Sequence, residues 1–295
     1  MMFAALLFVS CVVMTATAGS YIGAIVEHEI YMGKEGDSPE SLLQINLDLY
    51  QRHIKLAKSK SAQVIVFPEF GLTADDGKNT TRADLYPFAE EIPEGSAGVT
   101  PCNNPNYAST SILARISCAA KENKILTLIN TIDWVNCNTA TDASCPSDNH
   151  YQYNTDVLFD ETGKIVAKYH KSHEWTPFIG PYDQVPTSSQ VTYLSSFGVN
   201  FGLFICFDIV FPDPAKELRA AGISHFLYAV AQGDAGLKTL ITDWSKSQQA
   251  TLLAANLGAG KKGDCSGFAV NGELLATQKY YIGKDYPNEN IIVSE

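Results

Sequence analysis

The chain has 295 residues, of which 45% are hydrophobic and 18% charged, proportions that suit a globular protein with a sizeable core. Its net charge of −11 at pH 7 argues against nucleic acid or an anionic membrane as a partner, because both are bound through clustered Lys and Arg.

The first residues of the chain resemble a secretory leader. Residues 1–18 combine an apolar run with small residues before a cleavage point after Ala18, so we predict a signal peptide there. The run is shorter than the roughly 20 residues of a spanning helix, although a signal anchor is the alternative. We therefore expect a secreted, extracellular protein with no membrane span, a single domain over residues 19–295, and N-glycosylation at the sequon that begins with Asn79.

The remaining residues alternate between predicted helices and predicted strands. The first helix is expected to begin at Ser38 and Pro39, a favourable N-cap and first-turn pair, and to extend for about five turns. Further helices are predicted near 109–123, 213–222 and 237–249, and strands at 63–67, 125–132, 155–159, 164–169, 202–206, 225–231, 252–255, 267–270 and 273–276. The expected fold class is α/β, with mixed sheets covered by helices.

Cysteine usage fits an oxidising compartment. Of seven cysteines, Cys11 leaves with the signal peptide, and most of the others should pair. Cys137 and Cys145 flank a polar loop and are candidates for one disulfide. Two more candidates bracket the start of a predicted helix, Cys102 and Cys118. Two cysteines then remain for other roles, Cys206 and Cys265.

Three polar residues follow predicted buried strands directly. They are Glu69, Lys171 and Cys206. Ligands of α/β sheets bind outside the carboxyl ends of strands, so we expect these side chains to converge on one crevice.

Together, the three residue types can cleave an amide. A neighbouring Lys171 is expected to lower the pKa of the Cys206 thiol by about one or two units, and the thiolate would attack the carbonyl. Glu69 would take the thiol proton, pass it to the leaving amine and activate the hydrolytic water. Lys171 would stabilise the oxyanion together with a backbone N–H, for which Phe207 is the candidate.

Four segments carry a resemblance to a known family. Residues 66–71, 151–160, 168–171 and 204–211 resemble the nitrilase (carbon–nitrogen hydrolase) superfamily, and residues 21–28 with the Cys137–Cys145 loop resemble its vanin and biotinidase branch. The resemblance implies an αββα sandwich and a Glu-Lys-Cys triad formed by Glu69, Lys171 and Cys206. It also implies hydrolysis of a small-molecule linear amide without a metal or organic cofactor.

The chain departs from that branch at two places. The superfamily has a supporting second Glu shortly after the Lys, for which the candidate here is Glu174, three positions after Lys171. The pocket wall expected at 228–234 also differs, so the substrate is not carried over directly. A Gln in that wall favours an acyl group with polar handles, which indicates pantetheine as substrate ahead of a biotin amide. Whether a C-terminal domain is missing is left open.

Other interpretations are weaker. Cys265 lies in a G-x-C-x-G pattern but lacks the strand before it and the helix after it that a nucleophile elbow needs. The order His170-x-x-His173-Glu174 matches no metalloprotease motif, and the glycines at 258, 260 and 263 lack the context of a dinucleotide loop. A secreted binding protein with an altered site is the alternative from a different functional class. The oligomeric state is open, a homodimer included.

Overall fold

The structure is a computed structural model that describes residues 20–27, 31, 33–73, 80–175, 180–232, 236–257, 266–275, 278–281 and 290–294. The predicted signal peptide (1–18), the sequon residue Asn79, the glycines at 258, 260 and 263, and Cys265 lie outside the described residues.

Among the described residues, the first sheet contains eight strands, ordered β13-β14-β1-β2-β4-β5-β6, with β3 paired beside β4. Strands β1, β2 and β4 are mutually parallel, whereas β5 runs antiparallel to both β4 and β6. As a result β2, β4 and β6 point in one direction. The strands of this sheet are β1 Gly23–Glu27, β2 Val64–Val66, β3 Ala89–Glu90, β4 Leu126–Asn136, β5 His150–Phe159, β6 Ile165–His170, β13 Gln278–Tyr281 and β14 Asn290–Ser294.

In the part of the chain that the structure describes, the second sheet contains six strands, ordered β12-β11-β10-β9-β8-β7, with a parallel centre formed by β8, β9 and β10. Its strands are β7 Thr192–Leu194, β8 Asn200–Ile205, β9 His225–Val230, β10 Thr251–Asn256, β11 Gly267–Val270 and β12 Glu273–Leu274. Both sheets are mixed, as the sequence predicted.

Five α-helices of the described residues accompany these sheets: α1 Pro39–Ser59, α2 Arg82–Leu85, α3 Ile112–Asn123, α4 Ala215–Ala220 and α5 Gly236–Gln248. Helix α1 begins at the predicted cap, where the Ser38 hydroxyl accepts a 3.2 Å hydrogen bond from the Ser41 N–H. No helix in the described part of the chain is both long enough and apolar enough to span a bilayer.

Two apolar clusters fill the spaces between four layers. In the first cluster, Leu47 of α1 and Ile116 of α3 pack with one face of the first sheet, which includes Ile65. The second cluster is continuous across the second sheet: one face of that sheet packs with the opposite face of the first sheet, which includes Val66, and its other face packs with Trp244 of α5. Alternate residues of a strand in the first sheet therefore enter different clusters, as the pleat requires. This arrangement is the expected αββα sandwich.

The structure joins the four candidate cysteines as Cys102–Cys118 and Cys137–Cys145. Among the described cysteines, Cys206 is the one that remains free.

Candidate active site

Glu69 and Lys171 approach the site from the first sheet, and Cys206 approaches it from the second. Glu69 lies three residues beyond the end of β2, while Lys171 and Cys206 directly follow β6 and β8. Because β2 and β6 run in the same direction, their carboxyl ends lie at one edge of the first sheet. All three side chains line a single pocket of about 380 Å³, as the strand ends predicted.

Glu69 and Lys171 form a buried ion pair. The Nζ of Lys171 lies 2.7 Å from Oε1 of Glu69 and 3.3 Å from Oε2 of Glu174, and all three side chains are almost fully buried. Burial would lower the pKa of Lys171, but the charges of Glu69 and Glu174 outweigh it and raise that pKa well above its usual value. Lys171 therefore carries a fixed positive charge in the pocket.

The pKa of Glu174 is strongly shifted by its surroundings. Burial raises the pKa of Glu174 to about 7, and the positive charge of Lys171 offsets only part of this effect. A carboxyl group with this pKa is partly protonated at neutral pH. The structure thus places Glu174, the candidate supporting residue, beside Lys171. The sequence spacing of three positions did not by itself show that the two side chains would meet.

Cys206 occupies a sharp bend between β8 and a 3₁₀ turn over residues 206–210. Its φ of +43° lies in the left-handed region, which costs a non-glycine residue about 1–2 kcal/mol. The Tyr228 hydroxyl donates a 2.8 Å hydrogen bond to the Cys206 carbonyl and so holds the bend. A backbone N–H of Ala231 bonds to the sulfur. The bend turns the thiol toward the ion pair.

Lys171 lowers the pKa of the Cys206 thiol, as predicted, but other groups outweigh it and the net shift is upward. Burial of the thiol and the negative charge of Glu69 raise the pKa of Cys206, and the opposing influence of Lys171 and of the Ala231 N–H is smaller. In the resting site the sulfur is therefore protonated. A nucleophilic attack would need a base that removes this proton, and Glu69 is a carboxylate close enough to raise the pKa of the thiol.

Asp208, which the sequence did not single out, joins the Lys171 segment to the Cys206 bend. One carboxylate oxygen accepts hydrogen bonds from the backbone N–H and the ring Nδ1 of His173, both at 2.9 Å. The other accepts from the Ile205 N–H at 3.0 Å and the Tyr169 hydroxyl at 2.8 Å. One buried carboxylate thus fixes the segments that contain Lys171 and Cys206.

Three further polar residues lie behind Glu69 and were also missed. Asn130 of β4 and Asn154 and Asp156 of β5 are at most 1% exposed. Along each strand they are an even number of residues from a core leucine, Leu128 on β4 and Leu158 on β5. Their side chains therefore lie on the same face of the sheet as these leucines. A polar side chain at a position that the pleat assigns to the core is the sequence signal that could have identified them.

The mouth of the pocket is aromatic and apolar. Trp175 is 49% exposed, and its ring meets the Phe207 ring edge-on with 4.8 Å between the ring centroids. Both residues line the pocket, so the candidate residue Phe207 lies at the pocket wall. Gln232 also lines the pocket, and the Asn256 side chain holds its backbone with hydrogen bonds of 2.8 and 3.0 Å. The pocket therefore offers an apolar entrance and a polar interior.

The histidines of the zinc alternative belong to separate clusters. The Nε2 of His170 lies 2.7 Å from Asp133, whereas Nδ1 of His173 lies 2.9 Å from Asp208. Each ring therefore has its own carboxylate partner.

Comparison with known proteins agrees with this geometry. The Carbon-nitrogen hydrolase family profile matches residues 35–257. A pantetheinase of Bos taurus is 36% identical over 84% of this chain and 50% of its own length, and a biotinidase of Takifugu rubripes is 32% identical over 82% and 50%. The chain thus spans about half the length of these relatives.

The fold also has solved counterparts. An amidase from Nesterenkonia sp., with acrylamide added at its active site cysteine, superposes with a TM-score of 0.64 at 17% identity, over 94% of this chain and 93% of that one. At this identity the likeness concerns the fold alone. The family profile and the relatives together show that the chain belongs to the carbon–nitrogen hydrolase family.

Proposed function

We propose that the chain is a thiol amidohydrolase that cleaves a linear amide of a small molecule, with Cys206 as nucleophile, Glu69 as general base and Lys171 as the oxyanion-stabilising cation. The observation that carries the proposal is the buried Glu69–Lys171 pair, whose nitrogen and oxygen are 2.7 Å apart and which faces the same pocket as the free thiol. The residue types and their joint burial match the needs of thioester chemistry.

In the first half of the reaction, the Cys206 thiol gives its proton to Glu69 as the sulfur attacks the amide carbonyl. Lys171 stays protonated and stabilises the oxyanion, assisted by a backbone N–H for which Phe207 is our candidate. The C–N bond then breaks, and Glu69 returns the proton to the leaving amine. The product that stays on the enzyme is a thioester.

In the second half, Glu69 takes a proton from water as the water oxygen attacks the thioester. The C–S bond breaks, the proton returns to the sulfur, and the free acid leaves. Glu174 supports Lys171 throughout, because its carboxyl group lies 3.3 Å from Nζ and can be neutral or charged near pH 7. No step in this sequence requires an additional reactant.

We propose pantetheine as the preferred substrate, since the first relatives are named pantetheinases. The Gln232 wall supports this choice, because a half-buried amide in the pocket favours an acyl group with hydroxyl and amide handles close to the scissile bond. Biotin amides are the second candidate, since biotinidases are also among the relatives.

The test compares kcat/KM for pantetheine, biocytin and simple aliphatic amides. We expect pantetheine to lead by at least about tenfold, or about 1.4 kcal/mol of transition-state preference. A kcat/KM for biocytin about tenfold above that for pantetheine would make a biotin amide the preferred substrate. Absence of turnover of any amide would favour a binding protein. Cys206→Ala should abolish turnover and Cys265→Ala should leave it; the reverse pattern would move the nucleophile to Cys265.

We also propose that the protein is secreted, with residues 1–18 removed and Asn79 glycosylated. Two disulfides support an oxidising compartment, because cytosolic thiols stay reduced. Amino-terminal sequencing of protein recovered from culture medium should start near Gly19. Recovery of all the product inside the cell would contradict the proposal.

A further inference from the structure

The two oxygens of the Glu69 carboxylate have different surroundings. Oε1 accepts hydrogen bonds from Nζ of Lys171 at 2.7 Å and from Nδ2 of Asn154 at 2.8 Å. Oε2 is buried and makes no hydrogen bond with the described residues, although the Glu69 carboxyl group raises the pKa of the Cys206 thiol. One oxygen is thus occupied by two donors, and the other is the oxygen that remains available to accept a proton.

The orientation of each amide behind Glu69 follows from its neighbours. The Phe70 N–H can only donate, and it donates to Oδ1 of Asn130 at 3.0 Å. The Nδ2 of Asn130 must then point away from the Phe70 N–H, and it donates to Oδ1 of Asn154 at 2.8 Å and to Oδ1 of Asp156 at 3.0 Å. With its oxygen accepting, Asn154 must present its NH₂ group to Glu69. The chain of hydrogen bonds therefore has one direction, and it ends at Oε1.

Asn154 and Asn130 also bind the backbone of the two segments that contain Lys171 and Glu69. The Lys171 N–H donates to the Asn154 carbonyl at 2.9 Å, and Phe70 is the neighbour of Glu69 in the chain. Asn130 lies opposite Asp156 in the β4–β5 register. A shift of Asn154 would therefore disturb the backbone of Lys171, and a shift of Asn130 would disturb the backbone beside Glu69.

We propose that Asn154, Asn130 and Asp156 form a positioning network that selects Oε2 of Glu69 as the atom that takes the thiol proton. The network helps to supply the hydrogen-bond donors of Oε1 and fixes the orientation of the carboxylate group. This inference rests on the role of Glu69 in the proposed function.

Asp156 serves the network as a neutral acid. Burial raises its pKa well above the usual range, and the charges of Glu69 and Asp208 add to the increase. Its Oδ1 accepts from Asn130, which a carbonyl oxygen of the same shape can also do. An asparagine at this position is therefore a conservative replacement, and a leucine is not.

The experiment uses Asn154→Leu, which keeps the shape of the side chain and removes its hydrogen bonds. We measure kcat and KM for pantetheine against pH, and the pH dependence of Cys206 alkylation by iodoacetamide. We expect kcat to fall by about tenfold or more, KM to stay within about twofold, and the acid limb of both profiles to move up by about one pH unit, because a donor to the ionised carboxylate is lost. An acid limb at the wild-type pH would overturn the proposal.

Asp156 offers the paired test. Asp156→Leu should reproduce the changes of Asn154→Leu, and Asp156→Asn should restore most of the lost rate. If Asp156→Asn is as impaired as Asp156→Leu, the neutral-acid network is wrong. This pair also decides the question if Asn154→Leu does not fold, which thermal melting reveals.

Asn46 is the matched control, since it is a fully buried asparagine whose hydrogen bonds go to the Tyr31 backbone, away from the pocket. Asn46→Leu should lower the melting temperature without moving either pH profile; a comparable shift would assign the effect to general loosening and contradict the network. The alkylation profile needs no substrate. Failure of the wild type to hydrolyse any amide would refute the proposed function while the alkylation result still decides the network.

Discussion

Tyr228 is a residue whose single hydroxyl supports the left-handed backbone conformation of Cys206. Its side chain is 1% exposed and lies on β9, directly beside the β8 residue Phe204 in the parallel register. Burial and the nearby Cys206 and Glu69 groups raise the pKa of Tyr228 well above its usual value, so the phenol remains a donor at all working pH values. The bend at Cys206 therefore depends on a hydrogen bond from a neighbouring strand.

We expect Tyr228→Phe to lower kcat by about five- to tenfold and to slow alkylation of Cys206. The ring remains, so the loss of stability should be only about 1 kcal/mol, the value of one hydrogen bond. Steady-state kinetics, iodoacetamide labelling and urea unfolding measure the three effects. Tyr193→Phe on the edge strand β7 is the control and should change none of them. Labelling of Tyr228→Phe at the wild-type rate would show that the bend does not need this hydroxyl.

At the scale of elements, the segment after β6 and the turn after β8 are held together by charge. Asp208 raises the pKa of His173 through a hydrogen bond, and the Asp213 charge adds to this, while burial and the Lys171 charge oppose it. The Phe211 ring stacks on the imidazole at 3.8 Å. The paired His173 therefore binds its proton more tightly in the folded state than in the unfolded chain.

This difference predicts how stability depends on pH. A raised folded pKa contributes stability that is complete below the unfolded value of about 6.5 and is lost as pH rises through the folded pKa. The free energy of unfolding of the wild type minus that of His173→Gln should therefore shrink between pH 6 and pH 9. Urea titrations at each pH measure it, and a constant difference would contradict the assignment.

His225 supplies the opposite sign. Burial lowers its pKa, and its Nδ1 lies 3.2 Å from the Tyr21 hydroxyl. Its contribution should be present above pH 6.5 and lost as pH falls, because the unfolded chain then binds the proton more readily. Replacement of His225 should thus change the free energy of unfolding with pH in the direction opposite to His173→Gln.

Element ends near the site were predictable to different degrees. The strands before Glu69, Lys171 and Cys206 are short and apolar, so their ends, and with them the crevice, could be located from the sequence. Strand β5 was expected to begin at Thr155, but it begins at His150. Its first residues are polar, and composition does not distinguish a buried polar network from a solvated loop.

Other elements escaped prediction because their partners are distant in sequence. Strand β1 pairs with β14 in a register that joins Gly23 to Ser294, and neither strand has enough length or alternation to be recognised alone. Helix α4 covers only Ala215–Ala220, although the pattern indicated residues 213–222. Asp208 and Tyr228 were missed for the same reason, since their roles depend on contacts between strands rather than on local spacing.

At the scale of the whole molecule, the two sheets meet closely at Gly23. A Cβ atom there would lie 2.7 Å from Cε1 of Phe268 and 3.1 Å from Cδ2 of Leu253, both in the second sheet. The absence of a side chain thus sets the distance between the sheets at the amino end of β1. Because Glu69 and Lys171 belong to one sheet and Cys206 to the other, this distance also affects the site.

We expect Gly23→Ala to cost about 1–3 kcal/mol of stability through overpacking and to lower kcat as well. Gly267→Ala is the control, because its nearest clash is with the end of Leu274, a side chain that is 39% exposed and free to move. Melting curves and turnover at a temperature where both variants are folded measure the effects. Equal losses in the two variants would show that contact between the sheets has no special influence on the site.

The division of the site between two sheets has a practical consequence for anyone who stores or engineers the protein. A small slide of one sheet over the other would separate the Cys206 thiol from Glu69 while every strand keeps its own hydrogen bonds. An aged or heated sample would then retain its circular dichroism spectrum and its solubility but no longer turn over substrate. Shelf life must therefore be judged by turnover, and stabilising substitutions should be sought in the seam between the sheets rather than on the outer helices.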